Sequence, residues 1–224
     1  MQRKRLKLAS IGFAVLMFIL PADAAGSLHI TKMTEKSTLQ GLDYSCSYPR
    51  LNGATNSLNQ QKLNVRFREM ALTAMKAAEY EVKTAQGSSA SGSYDYEVKR
   101  NAGGILSMKL TDTLTAGGSS RTNLGGVTVD TVTGSTYRLD DLFFDNADYV
   151  TMINREVMKQ ISQKGLQSRL KDFRSIRKNS EYYLTNDSLV VLAKNVPEDM
   201  AVLEFTVTLK SLEGSLKPEL RLST

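Results

Sequence analysis

The first 24 residues have the three parts of a secretory signal peptide, and this leader limits what the rest of the chain can form. A basic start precedes an uncharged run of 13 residues over 8–20. Small residues follow at Ala22 and Ala24, which predicts cleavage between Ala24 and Ala25. The apolar run is shorter than the roughly 20 residues that span a bilayer. We therefore expect a secreted or periplasmic domain over 25–224, with an uncleaved membrane anchor or a buried core helix as the alternatives.

The sequence contains one cysteine, Cys46, so no disulfide can form within the chain. The fold must then be stabilised by a hydrophobic core, which about 200 residues can supply. Cys46 lies in an alternating, strand-like pattern and is interpreted as a buried apolar residue. A reactive thiol or an intermolecular bridge is the alternative.

The charge of the chain gives no indication of a nucleic-acid partner. The formal net charge is +6, but the leader contains four of the 29 basic residues and one of the 23 acidic residues, which leaves about +3 for the rest. The basic residues are scattered along the sequence and do not form a patch. We therefore predict no nucleic-acid role.

The first half of the mature chain has the pattern strand, strand, helix. Alternating apolar residues over 27–34 and 38–48 predict two strands joined by a turn at 35–36, with Pro49 ending the second strand. A helix is predicted over 58–84, because its apolar residues recur at spacings of three and four. The small-residue segment 86–93 is interpreted as a linker, and as a candidate sub-boundary within one domain.

The second half predicts a meander of strands, then a helix and a hairpin. Strands with glycine turns between them are predicted over 94–131. A helix is predicted over 147–164, with Gly165 at its C-terminal end. Hairpin strands over 182–184 and 189–193 precede a last strand. Helices separated from antiparallel strands predict an α+β fold, in which an antiparallel sheet (a meander plus a C-terminal hairpin) is packed by two main helices.

The reactive side chains offer little for catalysis. One histidine, His29, and one cysteine cannot supply a nucleophilic triad or the usual zinc ligands. Oxygen ligands that calcium could use occur over 140–148 without EF-hand spacing, and they are interpreted as helix caps. The glycine pairs at 103–104, 117–118 and 125–126 lack a phosphate-binding pattern and are interpreted as turns. No metal or cofactor is predicted.

Two segments resemble a bacterial envelope domain. Tyr48-Pro49-Arg50-Leu51 resembles the opening of that domain, and Tyr137-Arg-Leu-Asp-Asp-Leu-Phe143 resembles its L-x-D-L-F segment. The domain forms the extracellular part of the lysozyme-sensing anti-sigma factor RsiV and the N-terminal part of the peptidoglycan deacetylase PdaC, and the resemblance covers about 44–212. It implies an α+β fold, an extracytoplasmic location and, in one branch, lysozyme binding.

These features predict a non-catalytic binding domain of the cell envelope, with lysozyme, another envelope protein or a peptidoglycan fragment as its partner. A carboxylate-based cell-wall hydrolase and a membrane-tethered structural component are the alternatives. Exposed loops at 50–57, 117–122 and 195–200 are candidate contact sites, and an acidic patch would attract a basic partner such as lysozyme. The candidate binding residues are Gly117, Gly118, Ser119, Ser120, Asp140, Asp141, Asp145 and Asp148.

Overall fold

The computed structural model describes residues 28–84, 89–168, 170, 173–193 and 202–220. The leader and the predicted loop 195–200 lie outside the described residues. None of the helices within these ranges has the length and apolar character needed to cross a bilayer. The strands are β1 (His29–Lys36), β2 (Leu42–Asn52), β3 (Ala90–Ala102), β4 (Ile105–Ala116), β5 (Ser119–Asp130), β6 (Tyr182–Leu184), β7 (Ser188–Ala193) and β8 (Leu203–Thr208). The helices are α1 (Ser57–Thr84), α2 (Tyr149–Gln163) and α3 (Leu209–Leu212), with 3-10 turns at Asp140–Leu142 and Pro218–Leu220.

Two sheets form, and the predicted α+β fold is confirmed. The larger sheet has the strand order β1-β2-β3-β4-β5, and the smaller has the order β6-β7-β8. Neighbouring strands are antiparallel except β2 and β3, which are parallel. A parallel pair needs a crossover connection, and α1 supplies it. The predicted meander is β3-β4-β5, and the predicted hairpin is β6-β7, which β8 extends into a separate sheet.

Two of the predicted glycine turns are tight hairpin turns. Gly103 and Gly104 have φ of 60° and 75°, and Gly117 and Gly118 have φ of 57° and 80°. Each pair joins strands whose flanking residues are directly opposite one another. Two consecutive residues with positive φ match the right-handed twist of the strands on either side, and glycine adopts that conformation without a steric penalty.

The first hairpin differs from the prediction at both ends. The predicted turn residues Glu35 and Lys36 lie in β1, where they pair with Cys46 and Ser45, and the connection follows at 37–41. Pro49 does not end the second strand but lies inside β2, opposite Lys32. Pairing between β2 and β3 stops at Cys46, so Pro49 lies where β2 has no partner on that side and a missing N–H is tolerated.

The segment interpreted as a linker is strand over its second half. Residues Ala90 to Ser93 pair with β2 on one side and with β4 on the other, whereas 85–88 lie outside the described residues. A Cβ atom built on Gly92 would lie 2.1 Å from the carbonyl oxygen of Thr113. Small residues are needed here because the backbones approach closely, and the same composition led to the incorrect linker prediction.

Each main helix covers one hydrophobic core. The face of α1 that packs on the larger sheet includes Leu63, Phe67, Ala71 and Ala78, all at most 2% exposed. The predicted apolar stripe of this helix is thereby confirmed. The second core lies between α2, β6–β8 and the C-terminal turns. Its helical contribution comes from Tyr149, Ile153, Val157 and Ile161.

The two sheets meet where β5 passes β6. A Cβ atom on Gly126 would lie 1.8 Å from the carbonyl oxygen of Tyr182. Beside this contact, the hydroxyls of Ser107 and Thr128 are 2.7 Å apart, and the N–H of Leu184 donates to the Ser107 hydroxyl at 2.7 Å. These polar groups are buried, so their mutual hydrogen bonds offset the cost of removing them from water.

We predict that Gly126→Ala destabilises the protein by about 2–4 kcal/mol, because the added methyl group would overlap main-chain atoms that cannot move without separating the sheets. Urea unfolding measures the difference. The matched control is Gly125→Ala, whose Cβ would lie 3.2 Å from the movable end of the Glu181 side chain and in ordinary contact with Leu110, at 3.6 Å. Its effect should stay within about 1 kcal/mol, and equal effects of the two substitutions would contradict this account of the contact.

An ion pair holds the first half of α1 against the edge of the larger sheet. The Nε of Arg68 donates to Glu35 at 2.7 Å, and the hydroxyl of Tyr48 donates to the same carboxylate oxygen at 2.7 Å. The hydrogen bond from Arg68 is the main cause that lowers the pKa of Glu35 below its ordinary value of 4.5. The ionised carboxylate is thus stabilised in the folded state.

The pH dependence of stability tests this pair. Because the pKa of Glu35 is lowered by folding, its ionised form contributes stability above the ordinary value of 4.5, and that contribution is lost as the pH falls through the folded value. Wild type should therefore be more stable than Glu35→Gln at pH 7, with the difference shrinking below pH 4.5 in urea unfolding. When Arg68 is replaced by glutamine in both proteins, their difference in stability should change less between pH 7 and pH values below 4.5. A difference that stays constant down to pH values near 3 would contradict the prediction.

Candidate functional site

The predicted loop of glycines and serines is a two-residue turn and the beginning of a strand. Gly117 and Gly118 form the turn, whereas Ser119 and Ser120 are the first residues of β5. The hydroxyl of Thr115 donates to that of Ser120 at 3.0 Å across the hairpin. The segment is exposed, as expected for a candidate contact site, and it forms the end of the β4–β5 hairpin.

Three of the four candidate acidic residues bind groups close to them in sequence. Asp141 accepts the N–H of Arg138 at 2.7 Å, and Asp140 accepts the guanidinium of Arg138 at 2.9 Å. Asp148 is the N-cap of α2 and accepts the N–H of Thr151 at 3.4 Å, which confirms its predicted capping role. Asp145 is exposed. Within the described ranges, no three Asp, Glu, His or Cys side chains come together as metal ligands.

The structure does not bring the two predicted sets together. Gly117 and Gly118 precede the first residue of β5, whereas the acidic residues follow Thr136, which bridges to Val129 near the last residue of that strand. Almost the whole length of β5 lies between them. The hairpin and the acidic residues therefore do not form one binding surface.

A groove that the sequence did not predict lies beside α1. It has a volume of about 1180 Å³ and lies between α1 and the part of the larger sheet that α1 leaves uncovered. We call it the α1 groove. Its helical wall is one flank of α1, on which residues recur at spacings of three and four. The wall residues include Lys62, Arg66, Glu69, Met70, Thr73 and Ala77.

The floor of the α1 groove is the face of β3, β4 and β5. Tyr94 is buried there, and Leu110 is half-buried. Gly125 lies directly opposite Leu110 in the β4–β5 ladder. Because Gly125 has no side chain, the floor is low at this point and the groove stays open. We interpreted the 125–126 pair as a turn, which is wrong, since both glycines lie within β5.

A hydrogen-bonded network forms the polar end of the groove and fixes α1 to β5. Asp112 accepts hydrogen bonds from the hydroxyl of Tyr44 at 2.5 Å and from the guanidinium of Arg121 at 2.8 Å. Arg121 also pairs with Glu81 of α1 at 3.1 Å. Burial, followed by the hydrogen bond to Asp112, raises the pKa of Tyr44, so its hydroxyl stays protonated as a donor.

The lip of the groove carries apolar side chains that face solvent. Leu58 and Val65 line the groove and are 60% and 50% exposed. Isolated exposed apolar residues need no explanation, but these two adjoin an apolar floor, which is the pattern of a binding surface. Their positions away from the buried stripe of α1 are the sequence signal that could have indicated the groove.

Cys46 takes no part in this site. It is fully buried in β2, as predicted. Burial raises the pKa of its thiol to about 11, so the reactive thiolate is scarce at neutral pH. The buried position leaves no support for the alternative of a reactive thiol or an intermolecular bridge.

Fold and groove together define an α+β domain of two packed sheets with an open concave site beside its longest helix. The same fold occurs in a DUF3298 family protein from Pseudomonas aeruginosa PAO1, with a TM-score of 0.63 and 16% identity over 96% of this chain and 99% of that one. It also occurs in a DUF3298 family member from Bacteroides fragilis, with a TM-score of 0.61 and 14% identity over 87% of this chain and 95% of that one. No protein-family model matches the sequence, and no curated protein matches it. At these identities the likeness establishes the fold.

Proposed function

We propose that this chain is a non-catalytic binding domain of the bacterial cell envelope and that the α1 groove is its ligand site. The observation that carries the proposal is the groove itself, a concave surface of about 1180 Å³ with an apolar floor and charged residues on its walls. Concave, mostly apolar sites with a few polar groups are where proteins bind small ligands and cofactors. Here α1 and the sheet hold the walls in place, so the site is formed before any ligand arrives.

Two further features support the envelope assignment. The leader has the pattern of an export signal, and the L-x-D-L-F segment resembles the RsiV- and PdaC-type envelope domain. The shared fold spans nearly the full length of both DUF3298 structures, which supports placing this chain in the same domain family. The resemblance suggests lysozyme or a peptidoglycan fragment as the ligand.

The contacts of Asp112, one of three acids that line the groove, support a structural role for it over a catalytic one. Asp112 accepts hydrogen bonds from Tyr44, Arg121 and Asn123. A general base needs a free acceptor oxygen directed at the substrate, and these contacts occupy both oxygens of Asp112. His29 lies in β1, which is the edge strand opposite to β5, and it does not line the groove. The network at Asp112 is therefore interpreted as structural.

Filling the groove tests its role. We predict that Gly125→Leu weakens binding of the envelope ligand at least about tenfold, because a leucine side chain would occupy the floor beside Leu110. Wild type and variant are compared by calorimetric titration with lysozyme and with muramyl peptides, and as baits for envelope extract. Thermal unfolding of both proteins establishes that the variant is folded.

Asp145→Lys is the matched control, because it changes the exposed acid of the predicted acidic set and leaves the groove intact. Loss of binding in Asp145→Lys, together with full binding by Gly125→Leu, would contradict a groove site and favour the acidic residues. If wild type binds no component of the extract and neither defined ligand, the binding function itself is contradicted.

The proposed location has its own test. Expressed from its full sequence in a bacterial host, the protein should be recovered outside the cytoplasm with an intact mass that begins at Ala25. Replacing Ala24 by Asp should block this cleavage, because signal peptidase requires a small residue there. Recovery of the wild-type protein in the cytosol at full mass would contradict the proposal.

A further inference from the structure

The floor of the α1 groove suits a ligand that makes apolar contacts and needs few hydrogen bonds. The central part of the floor is the face of paired strands, where Leu110 lies opposite Gly125 within the β4–β5 ladder. Main-chain donors and acceptors in such a ladder bond to one another and are not offered to a ligand above the sheet. A polypeptide backbone placed there would keep its own polar groups unpaired, whereas a hydrocarbon chain has none to satisfy.

Apolar contact extends from the floor to the lip of the groove. Met70 of α1 is half-buried beside the floor, and the exposed side chains of Leu58 and Val65 continue the apolar surface toward solvent. Sites of roughly 300–1,000 Å³ hold drug-sized ligands. A groove of about 1180 Å³ that is open along its length therefore has room for an elongated chain.

Two cations lie on the helical wall above this floor. Lys62 and Arg66 are one helical turn apart, both are exposed, and neither has a hydrogen-bond or ion-pair partner among the described residues. Two acids also line the groove: Glu69 on the wall, which no ion pair joins to either cation, and Glu181, whose carboxylate lies beside Gly125. At the polar end, the charge of Asp112 is neutralised by Arg121. The unpaired cations provide a place for an anionic head group at the side of an apolar channel.

We propose that the α1 groove binds a single-chain anionic amphiphile of the long-chain fatty acid type. The hydrocarbon chain lies on the floor between Met70 and Leu110, and the carboxylate pairs with Lys62 and Arg66. This inference rests on the proposed function, because it names the ligand class of the same groove.

Calorimetric titration with hexadecanoate, kept below its micelle concentration, tests the inference on the mature protein. We expect saturable binding, weakened at least about tenfold in Gly125→Leu and about five- to tenfold in the double variant Lys62→Gln/Arg66→Gln. The double variant changes only exposed side chains and so remains folded. Lys76→Gln, an exposed lysine of α1 that does not line the groove, is the matched control and should bind like wild type.

The head group is tested with hexadecyltrimethylammonium, which has the same chain and the opposite charge. It should bind at least about tenfold more weakly than hexadecanoate, and the difference should shrink at high salt, because the attraction is electrostatic. Equal binding of the two amphiphiles, or unchanged hexadecanoate binding in Gly125→Leu, would overturn the inference. Another outcome is that hexadecanoate does not bind, whereas muramyl peptides, lysozyme or an apolar peptide bind to wild type and bind more weakly to Gly125→Leu. In that case the groove is a site for another class of ligand, and only this inference fails.

Discussion

The contact between Gly126 and the main chain of Tyr182 is the constraint on which the rest of the structure depends. The carbonyl of Tyr182 occupies the place that any side chain at position 126 would need. This approach joins two sheets that have separate hydrophobic cores. The hydroxyls of Ser107 and Thr128 satisfy buried polar groups beside it. Glycine and buried polar groups therefore lie at this junction together with the apolar contact of Leu124 with Tyr183, Val190 and Leu192.

The position of α1 on the sheet determines where the site can be. As the crossover between the parallel strands β2 and β3, the helix packs mainly on that half of the sheet and leaves the faces of β4 and β5 open around Leu110 and Gly125. Contacts with Glu35 on one side and with Arg121 on the other hold the helix in this position. A wall fixed on both sides keeps the groove open in the absence of a ligand, which lowers the ordering cost of binding.

The periodic elements could be predicted from sequence because their signals are local. The apolar stripe of α1 gives its buried face, and the cap at Asp148 and the glycine at 165 mark the ends of α2. Gly165 has a φ of 64° and follows the last residues of that helix. Its N–H donates to the carbonyl of Ser162, and the N–H of Leu166 donates to the carbonyl of Ile161, which together end the helix. Such patterns need no knowledge of distant residues.

The small residues could not be predicted in this way. Glycine serves equally for a positive φ and for the close approach of another chain segment, and the sequence does not distinguish the two uses. The pair at 117–118 is a turn, whereas Gly92 and Gly126 lie against distant carbonyl groups. The groove was missed for the same reason, since it depends on which strands the helix leaves uncovered. That is a property of the topology and not of any local pattern.

The L-x-D-L-F segment at 139–143 has a structural explanation. Leu139, Leu142 and Phe143 are each at most 1% exposed, and the ring of Phe143 stacks on that of Tyr149 with 4.4 Å between centroids. The backbone around it bonds to the C-terminal turns, since the N–H of Lys217 donates to the carbonyl of Leu142 at 3.0 Å. The motif thus fixes the start of α2 and the C-terminal segment in one core. The motif therefore has a structural role, and none of its residues lines the α1 groove.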